Sequence, residues 1–252
     1  MALLGLDMGS TSIKGIVFDE AGEIKAEASI PFKTVWHENT AEADAEEMWS
    51  AAVEVIKSVA GKASGIEAIC VASHGETFIP VDGDCKPVYS AIMNSDNRAV
   101  NESQFWEKSI GRRNMYAITG MPLHPMFGIN KIMWLKNNMP DVFASAKMFL
   151  SPADYILGRL GARPLTDYSL ACRSMAFNIN NFDWSDDILK EAGISKNMLP
   201  QCAPSGTSAG KVKSDMADIL GLGSGVKAVV GGHDQPLSAL GSGAINEGDV
   251  SD

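Results

Sequence analysis

The sequence predicts an α/β protein, a mixed β-sheet flanked by helices, and three observations carry that expectation. Residues 3–7, 12–19 and 24–30 are apolar runs rich in Val, Ile and Leu, separated by short turns of Gly, Ser, Thr and Glu. A stretch of helical spacing follows them, and after it another buried strand. Towards the end, a short β-branched run leads through Gly231-Gly232 into a second helix start.

Taken in order, the first three runs read as consecutive antiparallel strands joined by tight turns. Residues 44–62 read as an amphipathic helix. Met48, Ala52, Val55, Ile56 and Val59 recur at helical spacing, and Asp44, Glu46 and Glu47 put negative charge at the N-terminus, where the helix dipole favours it. Residues 66–72 and 77–81 read as strands, with a turn at Asp82-Gly83-Asp84 and Pro87 just beyond. The middle is largely helical, over 99–108, around Met115, over 129–138, and over 153–160 after the turn Ser151-Pro152. Residues 226–230 form a strand, Gly231-Gly232 a glycine turn with His233 and Asp234 in it, and 235–240 the start of a helix. The acidic stretch from Glu38 to Glu47 reads as a solvated loop and helix start. The Met-rich stretch from Met115 to Met148 has the spacing of ordinary helix packing. Residues 248–252 read as a strand barely begun, so a cut within a longer protein is expected there.

Composition narrows the function. The 252 residues fit one large domain or two small ones, and with 45% of them hydrophobic they can bury a substantial core. A formal net charge of −10 argues against a nucleic-acid surface, because neutralising phosphates needs clustered Lys and Arg. Cys70, Cys85, Cys172 and Cys202 lie far apart, with no Cys-x-x-Cys pair and no zinc-site His spacing. They read as reduced thiols of a cytoplasmic protein, two or three of them simply packed in the core. No apolar run reaches the roughly 18 residues that a membrane helix needs. The start lacks the basic flank of an export signal.

Chemistry is concentrated where strands end. Asp7 closes the first strand and Gly9-Ser10-Thr11-Ser12 follows it. Small residues there let backbone N–H groups and hydroxyls approach phosphate oxygens, while the carboxylate can hold a divalent cation. The same residues also suit a plain hairpin turn, and the spacing is neither a P-loop nor a dinucleotide fingerprint. Asp234, after the Gly-Gly pair, can face a cleft and accept a proton from a substrate hydroxyl, or act as an N-cap before Gln235-Pro236. Glu76 lies just past a buried strand, and a carboxylate there can accept two hydroxyl hydrogen bonds. His74 beside it has the look of a satisfied structural residue.

Several stretches in order resemble one family. Gly5-x-Asp7-x-Gly9-Ser10-Thr11-Ser12 is similar to the first phosphate loop of the actin-like, ribonuclease-H-fold ATPases, and specifically of the FGGY carbohydrate kinases. Ala91 to Arg98, Thr119-Gly120-Met121-Pro122, Lys131 to Asn137, Thr166-Asp167-Tyr168-Ser169 and Gly231 to Gln235 resemble the family at sensible spacings. The resemblance covers the whole chain, and implies that residues 1–252 are the N-terminal domain of such a kinase, lacking the C-terminal nucleotide domain.

The resemblance implies ATP and Mg²⁺ as cofactors and a sugar as substrate, with a homodimer compatible. Asp234 would be the general base. Gly75, Glu76, Asp96, Met126 and Gln235 would line the sugar site. Gly9, Ser10, Thr11, Ser12 and Lys14 would steady phosphate oxygens, and Asp7 would hold the metal. Departures leave the sugar open. Gly75 stands where glycerol kinases look to have Arg, Glu76 where xylulokinases have His, and Met126 where glycerol kinases have Tyr. Asn94 replaces a Trp that would wall the sugar, so that wall would be lost or supplied from elsewhere, such as Phe78 or Trp106. Gly128 replaces the usual Pro, Ser or Thr, and Lys131 and Trp134 read as structural. Xylulose- or gluconate-type substrates fit best. The alternatives are a non-catalytic sugar- or nucleotide-sensing module, or another actin-like ATPase.

Overall fold

The computed structural model describes residues 1–250. Alternation of apolar and polar residues builds β1 (Ala2–Met8), β2 (Ser12–Asp19) and β3 (Ile24–Pro31), as expected. Leu4, Leu6 and Met8 of β1 point into the core, while Leu3 and Asp7 face outward. A short hairpin follows, β4 (Thr34–His37) and β5 (Thr40–Ala43), where the acidic composition suggested a loop. Its Ala41 and Ala43 are buried against the sheet, and long-range packing overrides the polar composition.

α1 (Ala45–Ala60) starts at Asp44, whose carboxylate accepts from the N–H groups of Glu46 and Glu47, a cap worth about 1 kcal/mol. Met48, Ala52, Val55, Ile56 and Val59 are all fully buried beneath the sheet. β6 (Ile66–Ser73), β7 (Ile79–Val81) and β8 (Ala91–Ile92) come next. A helical segment then contains α2 (Val100–Ser109), α3 (Arg112–Thr119), α4 (Gly128–Asn138) and α5 (Pro140–Ser145).

The chain returns through β9 (Met148–Leu150), α6 (Pro152–Arg159), β10 (Leu165–Asp167), α7 (Tyr168–Cys172), β11 (Phe177–Asn178), β12 (Asp183–Trp184), α8 (Asp186–Ala192) and β13 (Gln201–Ala203). It ends with β14 (Ser208–Lys211), α9 (Ser214–Leu220), β15 (Lys227–His233) and α10 (Asp234–Gly241).

The main sheet has the order β14-β15-β6-β1-β2-β3. β15, β6 and β1 run parallel, and the remaining neighbours pair antiparallel. The mixed sheet expected from the sequence is therefore present. One buried cluster lies between this sheet and α1, α6 and α9; a second fills the helical segment around Trp106, Ile132, Phe149 and Phe177. β8 and the entry to β7 feed both, since Ile79 and Ala91 pack in the first cluster while Ile92 and Phe78, the residue before β7, pack in the second.

Two expectations at the C-terminal end are corrected. Gly231 and Gly232 are not a turn but the last part of β15, and a Cβ at Gly231 would overlap the backbone carbonyl of Val71 in β6. Glycine is there because two strand backbones approach unusually closely. Residues 248–250 form no strand. The Asp249 carboxylate instead accepts from the N–H groups of Ile245 and Asn246, and Ser251 and Asp252 lie outside the described residues. No helix among the described residues is long and apolar enough to cross a membrane.

Candidate functional site

Met8, Ser73 and His233 stand in register across β1, β6 and β15, so three parallel strands deliver their carboxyl ends to one edge. In open α/β sheets that edge is where ligands bind. Each strand continues into a candidate segment: Gly9 to Ser12 after β1, His74 to Thr77 after β6, and Asp234 at the head of α10 after β15. Sequence-distant candidates are thus gathered by strand pairing alone.

Asp7 keeps contact with solvent but is closely ringed by protein. Its pKa is raised, by burial first and the Asp234 carboxylate second, while Lys14, its partner across the β1–β2 ladder, opposes the shift. Two carboxylates within electrostatic reach of each other suit a divalent cation of the Mg²⁺ type, which keeps several waters and uses one or two carboxylates plus substrate phosphates. No cluster of three or more acidic, His or Cys side chains suited to a metal exists among the described residues.

The turn after β1 is held by its backbone: Ser10 O accepts from Thr34 Oγ1 at 3.4 Å and Thr11 O from the Phe32 N–H at 3.1 Å. The hydroxyls of Ser10, Thr11 and Ser12 have no hydrogen-bond partner among the described residues, which leaves them available to an anion.

His74 is buried and doubly bonded. Its Nδ1 lies 2.8 Å from Met8 O, which can only accept, so Nδ1 carries the proton and Nε2 accepts from Thr77 Oγ1 at 2.7 Å. Burial pushes its pKa down to about 4. Its role is to tie the end of β1 to the segment after β6, the structural part expected of it. Ser73 Oγ, beside it, is a buried hydroxyl with no hydrogen-bond partner among the described residues.

Glu76 adopts a left-handed backbone, φ +61°, unusual for a residue with a side chain. Two basic side chains hold it there. Lys131, fully buried on α4, donates from Nζ to Glu76 O at 2.9 Å and to Met93 O at 2.6 Å. Desolvation lowers the Lys131 pKa to about 7. Arg173, just past α7, forms an ion pair with the Glu76 carboxylate. Lys131 read as structural from sequence, although a lysine among Ile129, Ile132 and Met133 of a buried face was a signal. Arg173 carried no local signal at all.

Other candidates take different places. Asp96 has no exposed surface: its carboxylate accepts from the Ala41 N–H at 2.7 Å and from the Arg98 N–H and guanidinium. In this arrangement its oxygens fix the loop before α2, and the sugar contact expected of it is not formed by an open carboxylate. Arg98 also pairs with Glu42 and lies over the half-buried Trp134 ring at 4.8 Å. Met126 is half-buried against the second cluster, and Gln235 is exposed on the first turn of α10.

Neither ring suggested as a sugar wall serves. Trp106 is fully buried with Nε1 bonded to Asn130 Oδ1 at 2.7 Å, and Phe78 is buried against Gly128. A Cβ at Gly128 would overlap the Phe78 ring, which explains the departure at that position.

Behind Asp234, Ser169 Oγ accepts from the His233 N–H at 2.9 Å and donates to Asp167 Oδ2 at 2.7 Å. His233 Nε2 lies 3.2 Å from Asp234 Oδ1. A groove of about 240 Å³, lined by Gly5, Asp7, Lys14, Phe18, Cys70 and Leu237, runs from the site along the sheet beneath α10. A larger cavity of about 500 Å³ near α3 and α8 includes none of the candidates.

Residues 2–241 match the family described as the FGGY family of carbohydrate kinases, N-terminal domain. The chain belongs to that family. It is 28% identical to a gluconokinase of Bacillus licheniformis over 99% of this chain and 49% of the relative. To a xylulose kinase of Lactococcus lactis it is also 28% identical, over 97% of this chain and 50% of the relative. The crystal structure of gluconate kinase from Lactobacillus acidophilus superposes with a TM-score of 0.91 at 30% identity, covering 97% of this chain and 50% of that one. The FGGY chain thus spans about half the length of the relatives it matches, and the actin-like, ribonuclease-H-like fold expected from its sequence is present.

Proposed function

We propose that this domain carries the sugar site, first phosphate loop and catalytic base of an ATP-dependent carbohydrate kinase. The observation that carries the reading is the alignment of β1, β6 and β15, which puts Asp7, Glu76 and Asp234 on one edge of the sheet. Asp234 accepts the proton of a sugar hydroxyl as that oxygen bonds to the γ-phosphorus of ATP and the bond to the β-phosphate oxygen breaks. Ser169, through the His233 backbone, fixes where that carboxylate begins. Glu76 accepts hydroxyl hydrogen bonds and orients the sugar, with Gln235 beside the reacting end. Gly9, Ser10, Thr11 and Ser12 with Lys14 steady phosphate oxygens. Asp7 would hold Mg²⁺, which when bound offsets negative charge on the transferred phosphoryl group, and would leave Asp234 free to act as base.

The substrate is a ketose, polyol or sugar acid, and the protein works in the cytoplasm. A second domain completes the nucleotide site and excludes water on closure, so residues 1–252 alone turn over little. The test is a coupled kinase screen of the full-length protein against pentuloses, hexuloses, polyols and aldonic acids, with Asp234→Asn as control. Sugar-dependent ADP release lowered about 10²- to 10⁴-fold by Asp234→Asn is expected. Hydrolysis of ATP indifferent to every sugar would favour another actin-like ATPase, and unchanged activity of Asp234→Asn would remove it as the base.

A further inference from the structure

The Glu76 carboxylate is nearly buried, and both Nε and Nη2 of Arg173 donate to the same oxygen, Oε1. Oε2 has no hydrogen-bond partner among the described residues. On the other side of the pair, Arg173 Nη1 has as its only hydrogen-bond partner among the described residues Met121 Sδ, at 3.7 Å, a weak acceptor. The guanidinium remains partly open, with 26% of the side chain exposed, and lies 5.3 Å from the centre of the Phe127 ring. Its stem runs where Gly75 has no side chain: a Cβ at 75 would press on Arg173 Cβ and Cγ and on His233 Cδ2. Arg173 thus reaches Glu76 from 97 residues away, and its stem and the His233 ring meet at Gly75, next to Asp234.

We propose that Arg173 binds substrate, forming with Glu76 a receptor for two adjacent hydroxyls, and that the substrate is a neutral sugar or polyol and not a sugar acid. This rests on the kinase reading above. One hydroxyl donates to Glu76 Oε2, and the oxygen of its neighbour accepts from Arg173 Nη1, so a diol uses both open positions of the pair. A carboxylate has no hydrogen for Oε2, so an aldonic acid can offer the pair only its hydroxyls, with its carboxylate carried alongside. It also brings negative charge to a site that already holds Glu76, Asp234 and Asp7, where Glu76 has neutralised the nearest cation.

The test uses the full-length protein, with calorimetric sugar titration in the absence of nucleotide and ATP-coupled turnover measured separately. Neutral ketopentoses, ketohexoses and polyols are compared with aldonic acids of equal carbon number. A neutral member is expected to bind at least about tenfold more tightly than its matched acid. Arg173→Met is expected to raise KM for it about 10- to 100-fold with a smaller change in kcat. Arg173→Lys keeps the charge but not the two-pronged geometry, and should recover little of that affinity. Because Arg173→Met leaves a buried carboxylate unpaired, the double variant Glu76→Gln/Arg173→Met serves where the single one fails to fold; its melting temperature should approach the parent's while sugar affinity stays lost.

Tighter binding of an aldonic acid, parental affinity in Arg173→Met or in the double variant, full rescue by Lys, or no binding of any neutral sugar would each overturn the proposal. Neutral-sugar binding that depends on Arg173 without any phosphoryl transfer would uphold it and overturn the kinase reading instead.

Discussion

The N–H of His233 donates to the hydroxyl of Ser169 at 2.9 Å, and this contact links the end of β15 to the cap of α7. Asp167 holds the other side of that hydroxyl and accepts also from the N–H groups of Ser169 and Leu170. A short helix cap therefore sets the position from which Asp234 leaves the sheet. Ser169→Ala removes the link but leaves the backbone cap, so the domain should melt within a few degrees of the parent. Turnover of the full-length protein should fall by about 1–3 kcal/mol of barrier, the range for leaving a polar group unpaired, with KM changed less than kcat. Steady-state kinetics and a thermal melt check both.

Gly231 is intolerant for a different reason. A Cβ there would overlap backbone atoms of Val71 and Ala72, which cannot swing aside as a flexible side chain would. Gly231→Ala should abolish soluble, folded protein or lower the melting temperature severely. Val229→Ala, two residues earlier at a half-buried position, should remain folded. Circular dichroism melts of the two variants separate the cases.

At Gly128 the overlap is with a side chain, the Phe78 ring, which can be shortened. Gly128→Ala is expected to destabilise by about 1–3 kcal/mol through overpacking. Combining it with Phe78→Leu should recover part of that loss, giving a double-mutant cycle non-additive by about 1 kcal/mol. Denaturant titration of the four proteins measures it, and additivity would mean the two sites do not share the space.

His74 makes stability depend on pH. It is kept neutral in the fold with its pKa lowered to about 4, against 6.5 for the free side chain. The unfolded chain therefore takes up a proton first on acidification. The contribution is fully present above pH 6.5 and is lost as pH falls towards about 4, amounting to about 3 kcal/mol. Asp154, buried with its pKa raised to about 7, acts in the opposite sense, because its folded form binds the proton more tightly. The difference between the parent and His74→Gln across that range isolates the histidine, and the variant should show the shallower loss.

Much of this was readable from short-range pattern. The alternation in β1 to β3, the apolar stripe and Asp44 cap of α1, and the placement of Asp7, Glu76 and Asp234 at or just beyond strand ends follow from periodicity and turn chemistry, which act over a few residues. The β4–β5 hairpin is not legible in the sequence, because its polar residues outnumber the two alanines that bury it. Gly231 and Gly232 read as a turn because the sequence does not reveal that another backbone presses on the first of them.

The sequence by itself determined which residue types reach the carboxyl edge of the sheet and that they resemble a phosphate loop, a base and a sugar contact. Only the tertiary structure decided their partners. Asp96 is consumed by Ala41 and Arg98, Lys131 props the carbonyls of Glu76 and Met93, and Arg173 pairs with Glu76 in the space left by Gly75. Which cation meets which carboxylate depends on how two separate hydrophobic clusters dock along β7 and β8. That docking is a long-range outcome of packing and leaves no trace in local spacing.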